Sequence, residues 1–240
     1  MKKFLFLSLA TLLMVGCSKD DDVKLSLSTN SVSLYSEDTE KVTASENVTW
    51  SSDDEFVATI DKSGTITGEH VGKTMIIAAG DNGEGKCAVE VKAKYNTYAD
   101  PVFEFGVSKS TIKSKEKRTL DTEKEESLLF KPEKSTIGGV GYLFENGKMN
   151  AIAINVKTSS AMEATKFLIE RYLVVGAGTG NVVGAMINNL PDKATMGITM
   201  SVESGYVLVL YMPYNKDKTR SIIDEDIVKN KMRILFDSTK

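Results

Sequence analysis

Apolar and polar residues alternate with a period of two in short segments of the N-terminal third of the chain. The pattern is clear at Leu25-Ser26-Leu27 and at Val32-Ser33-Leu34, and Val48 and Trp50 continue it. Such alternation is typical of half-buried β-strands, and many short strands at roughly ten-residue spacing favour a sandwich. We therefore expect an all-β antiparallel sandwich over residues 25–94, with Trp50 as a large buried anchor between its sheets.

The same alternation predicts two hairpins in the C-terminal part of the chain. Asn146-Gly147 suits a type I′ turn, because both residues tolerate the positive φ that this turn requires. Ser204-Gly205 is a second two-residue loop with alternating apolar residues on either side. The predicted pairs are Glu145 with Lys148, Phe144 with Met149, Tyr142 with Ala151 and Val140 with Ala153 in the first hairpin, and Val202 with Val207, Met200 with Val209 and Ile198 with Tyr211 in the second. These registers place apolar residues opposite one another on one face.

Helical periodicity separates the two hairpins. Ser160 to Glu163 has the spacing of a capping box, and an apolar stripe runs from there up to Gly176. The stripe consists of Ala161, Ala164, Leu168 and Tyr172. A shorter and more charged helix is predicted at the surface between Ser108 and Arg118.

The order of these strands and helices indicates an α+β domain over residues 101–240, an antiparallel sheet with helices on one face. Residues 95–100 form the linker to this domain. They end at Pro101, which has no backbone N–H to donate to a strand ladder and so suits a boundary.

The longest apolar run lies at the N-terminus. Met1-Lys2-Lys3 is basic, Phe4 to Val15 is apolar, and Gly16 and Cys17 follow. A basic start, a short apolar core and small residues before a cleavage point are typical of a secretory signal, and the run is too short to span a bilayer. We therefore expect residues 1–17 to be an export signal.

The end of this signal, Met14-Val15-Gly16-Cys17, resembles the lipobox of bacterial lipoproteins, with Met14 where that motif usually has Leu. The resemblance implies that Cys17 becomes the mature N-terminus and carries acyl chains that anchor the protein in the outer membrane. An ordinary cysteine in a discarded signal peptide is the alternative. Residues 18–24 begin with Ser-Lys-Asp-Asp-Asp and form a solvated acidic tether, which resembles the export patch of lipoproteins displayed on the cell surface. The alternative is that these residues are a soluble spacer without an export signal.

Four blocks of the predicted sandwich resemble the bacterial immunoglobulin-like domain of group 2. They are Val48–Ser52, Val57–Asp61, Gly64–Gly68 and Gly72–Thr74, in that order. The resemblance implies an Ig-like fold and a spacer or adhesive role. Glu37 departs from the pattern, because the family usually carries a turn glycine near this position.

Composition and charge disfavour a nucleic-acid partner and an intrachain disulfide. The net charge is -3 and the basic residues are dispersed, which disfavours a nucleic-acid partner. Once Cys17 is acylated, Cys87 is the only thiol left, so no intrachain disulfide can form. Alternation places Cys87 on the face of Val89 and Val91, where it acts as a small core residue.

No constellation in the sequence predicts catalysis, a cofactor or a metal. His70 is the only histidine, and no G-x-S-x-G motif accompanies it. Gly176 to Asn181 lacks the last glycine of a dinucleotide fingerprint, so we expect a flexible loop from Val175 to Ile187. The remaining candidates are the S-x-x-K spacing of Ser110 to Lys113 and the carboxylate clusters Asp53-Asp54-Glu55 and Asp224-Glu225-Asp226, which we interpret as chance and as solvated charge.

These features lead to one functional expectation and one alternative. The expectation is a non-catalytic, lipid-anchored, cell-surface binding or adhesion protein. Its Ig-like unit would act as a spacer or would present the α+β unit. The α+β unit would contact a host or envelope protein or a glycan. The alternative is a periplasm-facing envelope-assembly factor or enzyme with its active surface in the α+β unit.

Overall fold

The structure, a computed structural model, describes residues 24–177, 182–203 and 205–214 together with Phe236. Within these residues the chain folds into two sandwich sheets followed by one large sheet, and helices are few and short. The first unit ends with a strand at Lys92, and the second contains both α-helices.

The first unit is a sandwich of seven strands. They are β1 (Ser31–Tyr35), β2 (Thr39–Lys41), β3 (Thr49–Ser52), β4 (Ala58–Ile60), β5 (Thr65–Gly68), β6 (Gly72–Gly80) and β7 (Gly83–Lys92). One sheet has the order β1-β7-β6-β3 and the other β2-β5-β4. The expectation of an antiparallel sandwich needs one correction, because β1 pairs parallel to β7 while the other pairs are antiparallel. Local alternation predicts which face is buried and carries no information on strand direction.

Burial in the first unit follows the alternation of β7. Cys87, Val89 and Val91 are buried while their neighbours are exposed, which confirms the predicted orientation of Cys87. Burial also raises the pKa of the Cys87 thiol. The prediction that Trp50 is fully buried between the sheets was wrong. It lies on β3, at the edge of its sheet, and packs half-buried against the core with its ring over Gly64.

The turn after β1 contains Glu37, near the position where the family usually carries a glycine. Glu37 has φ +71°, in the left-handed region that favours glycine, and its N–H donates to the Gly68 carbonyl over 2.7 Å. The backbone therefore keeps the turn geometry although the residue is unfavourable there. A side chain in this conformation costs about 1–2 kcal/mol.

The second unit is built on one eight-stranded antiparallel sheet. Its strands are β8 (Leu120–Lys124), β9 (Ser127–Phe130), β10 (Ile137–Glu145), β11 (Lys148–Lys157), β12 (Leu173–Ala177), β13 (Val182–Ile187), β14 (Met196–Glu203) and β15 (Tyr206–Pro213). They lie in the order β12-β13-β14-β15-β11-β10-β9-β8. Helix α1 (Lys109–Lys115) and helix α2 (Ala161–Ile169), which follows a 3-10 turn at Thr158–Ser160, are short. The unit is thus largely sheet, with less helix than the α+β expectation implied.

Both faces of this sheet are buried. The helices contribute Ile112, Ala164, Phe167 and Leu168 to one core, so they lie on one face as expected. The opposite face has its own cluster of Leu129, Leu143, Ala151, Ala153, Tyr206, Leu208, Leu210, Met212 and Phe236. As a consequence β9 and β15 are apolar along nearly their whole length and show no alternation.

The predicted register of the second hairpin is confirmed, whereas that of the first is correct only near the turn. Val202 pairs with Val207, and the pairs further from the turn follow; Ser204 itself lies outside the described residues. Asn146 and Gly147 have φ +51° and +75°, and Phe144 pairs with Met149.

A β-bulge then shifts the first hairpin by one residue. The partner of Tyr142 is Ile152 and that of Val140 is Ile154, instead of the predicted Ala151 and Ala153. Because both faces of these strands are buried and apolar, the side-chain pattern could not reveal the slip.

The predicted second helix is only half present. Helix α2 ends at Ile169, and Leu173–Ala177 forms β12 instead of a helical turn. The Ser160 side chain makes no capping hydrogen bond, so the capping box was wrong as well. Leu173-Val174-Val175 is rich in β-branched residues, which favour strands. The expected loop from Val175 to Ile187 is therefore a hairpin of β12 and β13, apart from residues 178–181, which lie outside the described residues.

Candidate functional site

The titratable residues that the sequence offered for chemistry stabilise turns. The Nδ1 atom of His70 lies 2.8 Å from the Phe56 carbonyl oxygen, and the two rings stack with centroids 4.2 Å apart. Asp54 accepts the Phe56 N–H over 3.1 Å, which closes the turn before β4. The hydroxyl oxygens of Ser110 and of Ser108, which caps α1, lie 2.8 Å apart. These contacts fix the local backbone. Among the described contacts, no nucleophile lies within hydrogen-bond distance of the His70 imidazole.

Other predicted sites are dispersed or lie beyond the described residues. Lys113 of the S-x-x-K spacing pairs with Glu123 over 2.9 Å. Within the described residues, no group of three or more His, Cys, Asp or Glu side chains is placed to hold a metal ion. In the same part of the chain, no helix is long and apolar enough to cross a membrane. Cys17 and Asp224-Glu225-Asp226 lie outside the described residues.

A buried ionic network around Arg118 lies in the second unit. Its side chain and that of Glu116 are only 4 % and 3 % exposed and form an ion pair of 2.9 Å, and Glu133 pairs with Arg118 over 2.5 Å. Burial raises the pKa of Glu133, but the hydrogen bonds from Arg118 and the Ala99 N–H outweigh burial and hold this pKa below its usual value. The Tyr142 hydroxyl donates to Glu116. Every charge in this network has a partner within the chain, and removal of one partner would leave a buried charge unpaired.

Residues 95–100, predicted as a linker, pack into the second unit. Thr97 and Tyr98 are buried, and the Tyr98 hydroxyl lies 2.7 Å from the Tyr211 hydroxyl. The Ala99 N–H donates to Glu133 over 2.7 Å, and the Val102 N–H donates to Tyr142 over 2.9 Å. The chain between the two units is therefore a fixed part of the second one.

Glu170, just after α2, joins the two units. Its carboxylate is buried and accepts the N–H groups of Lys94 and Tyr95 over 2.9 and 3.1 Å, and Arg171 pairs with it. Its carbonyl oxygen accepts the Val71 N–H of the first unit over 2.7 Å. Leu173 and Leu190 of the second unit also pack against the core of the first. The junction combines buried hydrogen bonds with apolar contact.

The second unit also exposes large apolar side chains. Of the seven large apolar residues that are exposed within the described residues, six lie on α2, β12, β13 and β14. They are Met162, Ile169, Val174, Val175, Val183 and Val202, which we call the apolar corner. The seventh, Leu120, lies on β8. None of the seven belongs to the first unit.

Strand β12 contributes two consecutive exposed residues to the apolar corner. It stands at the end of the eight-stranded sheet and, within the described residues, pairs only with β13. Val174 is 51 % and Val175 49 % exposed, so neighbouring side chains are both accessible. Val175 and Val183 sit at irregularities in the strand register, where a residue is left without an opposite partner. An open strand with accessible valines can bind another apolar or extended surface.

Aromatic side chains do not form a comparable surface. Every Tyr and Phe of the described second unit is buried or half-buried, and most lie in the core below the helices. On the first unit, a shallow groove of about 580 Å³ crosses the outer face of β1, β7 and β6. Its charged residues, Lys73 and Glu90, form an ion pair of 3.2 Å with each other. The apolar corner is therefore the better candidate for a contact surface.

The sequence contains a signal for the apolar corner that the helical interpretation misses. Leu173-Val174-Val175 and Val182-Val183 are runs with strong strand preference, and they flank the glycine-rich segment predicted as a loop. The exposure of these valines depends on the strand order, which local alternation does not determine.

The comparison with protein families identifies the first unit. Residues 23–91 match the model of the bacterial Ig-like domain (group 2), which confirms the predicted Ig-like sandwich. No curated protein matches the chain. A domain of this family indicates a bacterial protein of the surface or adhesion type.

Proposed function

We propose, from the bacterial Ig-like domain at residues 23–91, that this chain is a non-catalytic, lipid-anchored binding or adhesion protein of the bacterial cell surface. The Ig-like unit spaces and presents the second unit, and the second unit contacts a protein or glycan partner. The observation that carries this division is the location of exposed apolar residues. All seven lie in the second unit, and residues 24–94 have none.

The energetics of burial support a contact role for the apolar corner. Each Å² of apolar surface removed from water contributes about 25 cal/mol, so several half-exposed valines supply a driving force for association that an equally large polar surface lacks. Residues 24–94 of the first unit expose no large apolar side chain, and several of their surface charges are paired, as Lys73 is with Glu90 and Lys94 with Asp38. Exposed pairs of this kind contribute little to binding or stability.

The anchor is part of the same proposal. Cys17 carries the acyl chains, the tether of residues 18–24 separates the folded units from the outer membrane, and the units face outwards. Two or more acyl chains give stable residence in a membrane, whereas one does not. The dispersed basic residues and the net charge of -3 support a partner other than nucleic acid.

Mass spectrometry and protease shaving test the anchor and the exposure. The proposal predicts that the mature N-terminal peptide begins at Cys17 with acyl chains attached, and that a Cys17→Ala variant lacks them. Protease added to intact cells should remove the folded units. An unmodified Cys17 would contradict the anchor. Resistance to protease in intact cells but not in lysed ones would contradict surface display and favour the periplasm-facing alternative.

A turnover screen tests the proposed absence of catalysis. The chain is expected to leave generic ester, peptide and glycoside substrates unchanged. Turnover that persists through purification and is lost on unfolding would show that the second unit is an enzyme, and the binding proposal would then be wrong.

A further inference from the structure

We propose that the edge of β12, which pairs only with β13 within the described residues, is a homophilic site at which two copies of this chain pair their β12 strands antiparallel. This deepens the proposed function, because it names a second copy of the chain as a partner of the apolar corner. The pairing would join two eight-stranded sheets into one continuous sheet across a two-fold axis. The two edges of the sheet differ in charge.

Strand β12 is complementary to itself. Its residues, Leu173-Val174-Val175-Gly176-Ala177, carry no charge. In an antiparallel pair centred on Val175, this valine faces its own counterpart and Val174 faces Gly176 of the second copy. Leu173, whose side chain packs against the core of the first unit, faces Ala177 at the end of the pair. Every opposed pair is apolar, so no charge is buried without a partner.

Strand β8, at the other edge of the same sheet, carries charges that oppose such pairing. Strand β8, Leu120-Asp121-Thr122-Glu123-Lys124, would place Asp121 opposite Glu123 of a second copy, which is a repulsive pair of carboxylates. Its charges are also engaged within the chain, since Glu123 pairs with Lys113 over 2.9 Å. Charged residues on an edge strand are a common protection against edge-to-edge association. This protection is present at β8 and missing at β12.

Burial of the exposed valines of β12 lowers the free energy of this association. Val174 and Val175 lie half-exposed on consecutive positions, so their side chains would be covered in part by the added strand and its neighbours. The interface is still small, because β12 has five residues. Interfaces of this size are weak, with dissociation constants on the order of 10 μM to 1 mM in solution. Acyl chains that confine the copies to one membrane would raise their effective concentration and compensate for the weak pairing.

Analytical ultracentrifugation of the chain from Ser18 onward tests the pairing, since this piece contains every described residue. The weight-average mass should rise with concentration towards twice the monomer mass. A Val175→Lys variant places two ammonium groups opposite each other at the two-fold axis and should weaken association at least about tenfold. The matched control is Thr122→Lys at the centre of β8, which adds the same charge to the other edge and should leave association unchanged.

Hydrogen exchange identifies the surface involved. The amides of β12 should exchange more slowly in concentrated than in dilute wild-type protein, and this difference should vanish in Val175→Lys while circular dichroism shows the fold retained. A mass that stays monomeric at millimolar concentration would overturn the inference and leave β12 to a different partner. Equal effects of the two lysine variants would overturn it as well. Neither outcome bears on the acylation of Cys17 or on surface display, which are measured separately.

Discussion

The two units of this chain differ in buried charge and in exposed apolar surface. The Ig-like unit pairs its charges at the surface and keeps its large apolar side chains inside. The second unit also has exposed ion pairs, such as Lys113 with Glu123, but it buries those of Arg118 and Arg171 and exposes seven large apolar residues. Exposed large apolar side chains are therefore confined to the second unit among the described residues, and this is the unit for which we propose a contact role.

Alkaline pH should affect the second unit most strongly. Burial raises the pKa of four tyrosines there, Tyr98, Tyr142, Tyr172 and Tyr211. Their contribution to stability is complete below pH 10, the usual tyrosine value, and is lost as the pH rises above it, because the unfolded chain ionises first. At about pH 11 each tyrosine should cost about 1.4 kcal/mol, or about 6 kcal/mol for the four together.

Tyrosinate absorbance and circular dichroism, recorded together across the alkaline range, measure this effect. These four tyrosines should ionise only as the second unit unfolds. Their ionisation with the circular dichroism unchanged would contradict the burial that distinguishes the second unit.

Among single substitutions, loss of the buried guanidinium should be the most damaging. Arg118→Met leaves the buried Glu116 carboxylate without its ionic partner, which should lower the free energy of unfolding by about 3–5 kcal/mol. Lys73→Met breaks an exposed pair of the first unit and should cost less than about 1 kcal/mol. Urea unfolding of both variants gives the comparison. Similar losses in the two would remove the contrast between buried and exposed pairs.

The junction should respond to Glu170 with a smaller effect. Glu170→Ala leaves the N–H groups of Lys94 and Tyr95 without their acceptor and should cost about 2–3 kcal/mol. It should also separate the thermal unfolding of the two units in calorimetry. The control is Glu163→Ala on the same helix, whose carboxylate is exposed and reaches Thr97 over 3.3 Å, with an expected cost below about 1 kcal/mol. A single unchanged transition in Glu170→Ala would mean that apolar contact alone joins the units.

The smallest expected effect is a gain in the first unit. Glu37→Gly relieves the left-handed backbone at φ +71°, although glycine also loses more entropy on folding. The net result should be an increase in the free energy of unfolding of up to about 1 kcal/mol. Chemical denaturation measures it. A loss of stability would mean that the Glu37 side chain stabilises the turn by more than its strain.

The sequence predicts the first unit better than the second for a physical reason. Strand β7 has one buried and one exposed face, so its alternation reports the orientation of Cys87 directly. Strand β10 and strand β11 are buried on both faces, so a one-residue slip at the bulge leaves the pattern apolar either way. The hairpin of β14 and β15 is predicted correctly nonetheless, because its strands pair without a bulge up to the turn.

The apolar corner could not be predicted in the same way. The helical stripe that extends through Tyr172 favours a helix up to Gly176, and tertiary pairing of Leu173–Ala177 with β13 outweighs that preference. Whether a strand is an edge depends on the order of all eight strands, which is a property of long-range pairing. The buried network of Arg118 is likewise formed by residues far apart in the chain, with Tyr142 and Ala99 among its partners.

Site-specific photo-crosslinking on intact cells tests the central claim most directly, namely that contact belongs to the second unit and not to the Ig-like unit. A photoreactive residue at Val175 on β12 is compared with one at Thr49, an exposed position on the edge strand β3 of the Ig-like unit. We expect adducts from Val175, including a covalent dimer of the chain, and none above background from Thr49. Adducts from Thr49 alone, or equally from both positions, would contradict it.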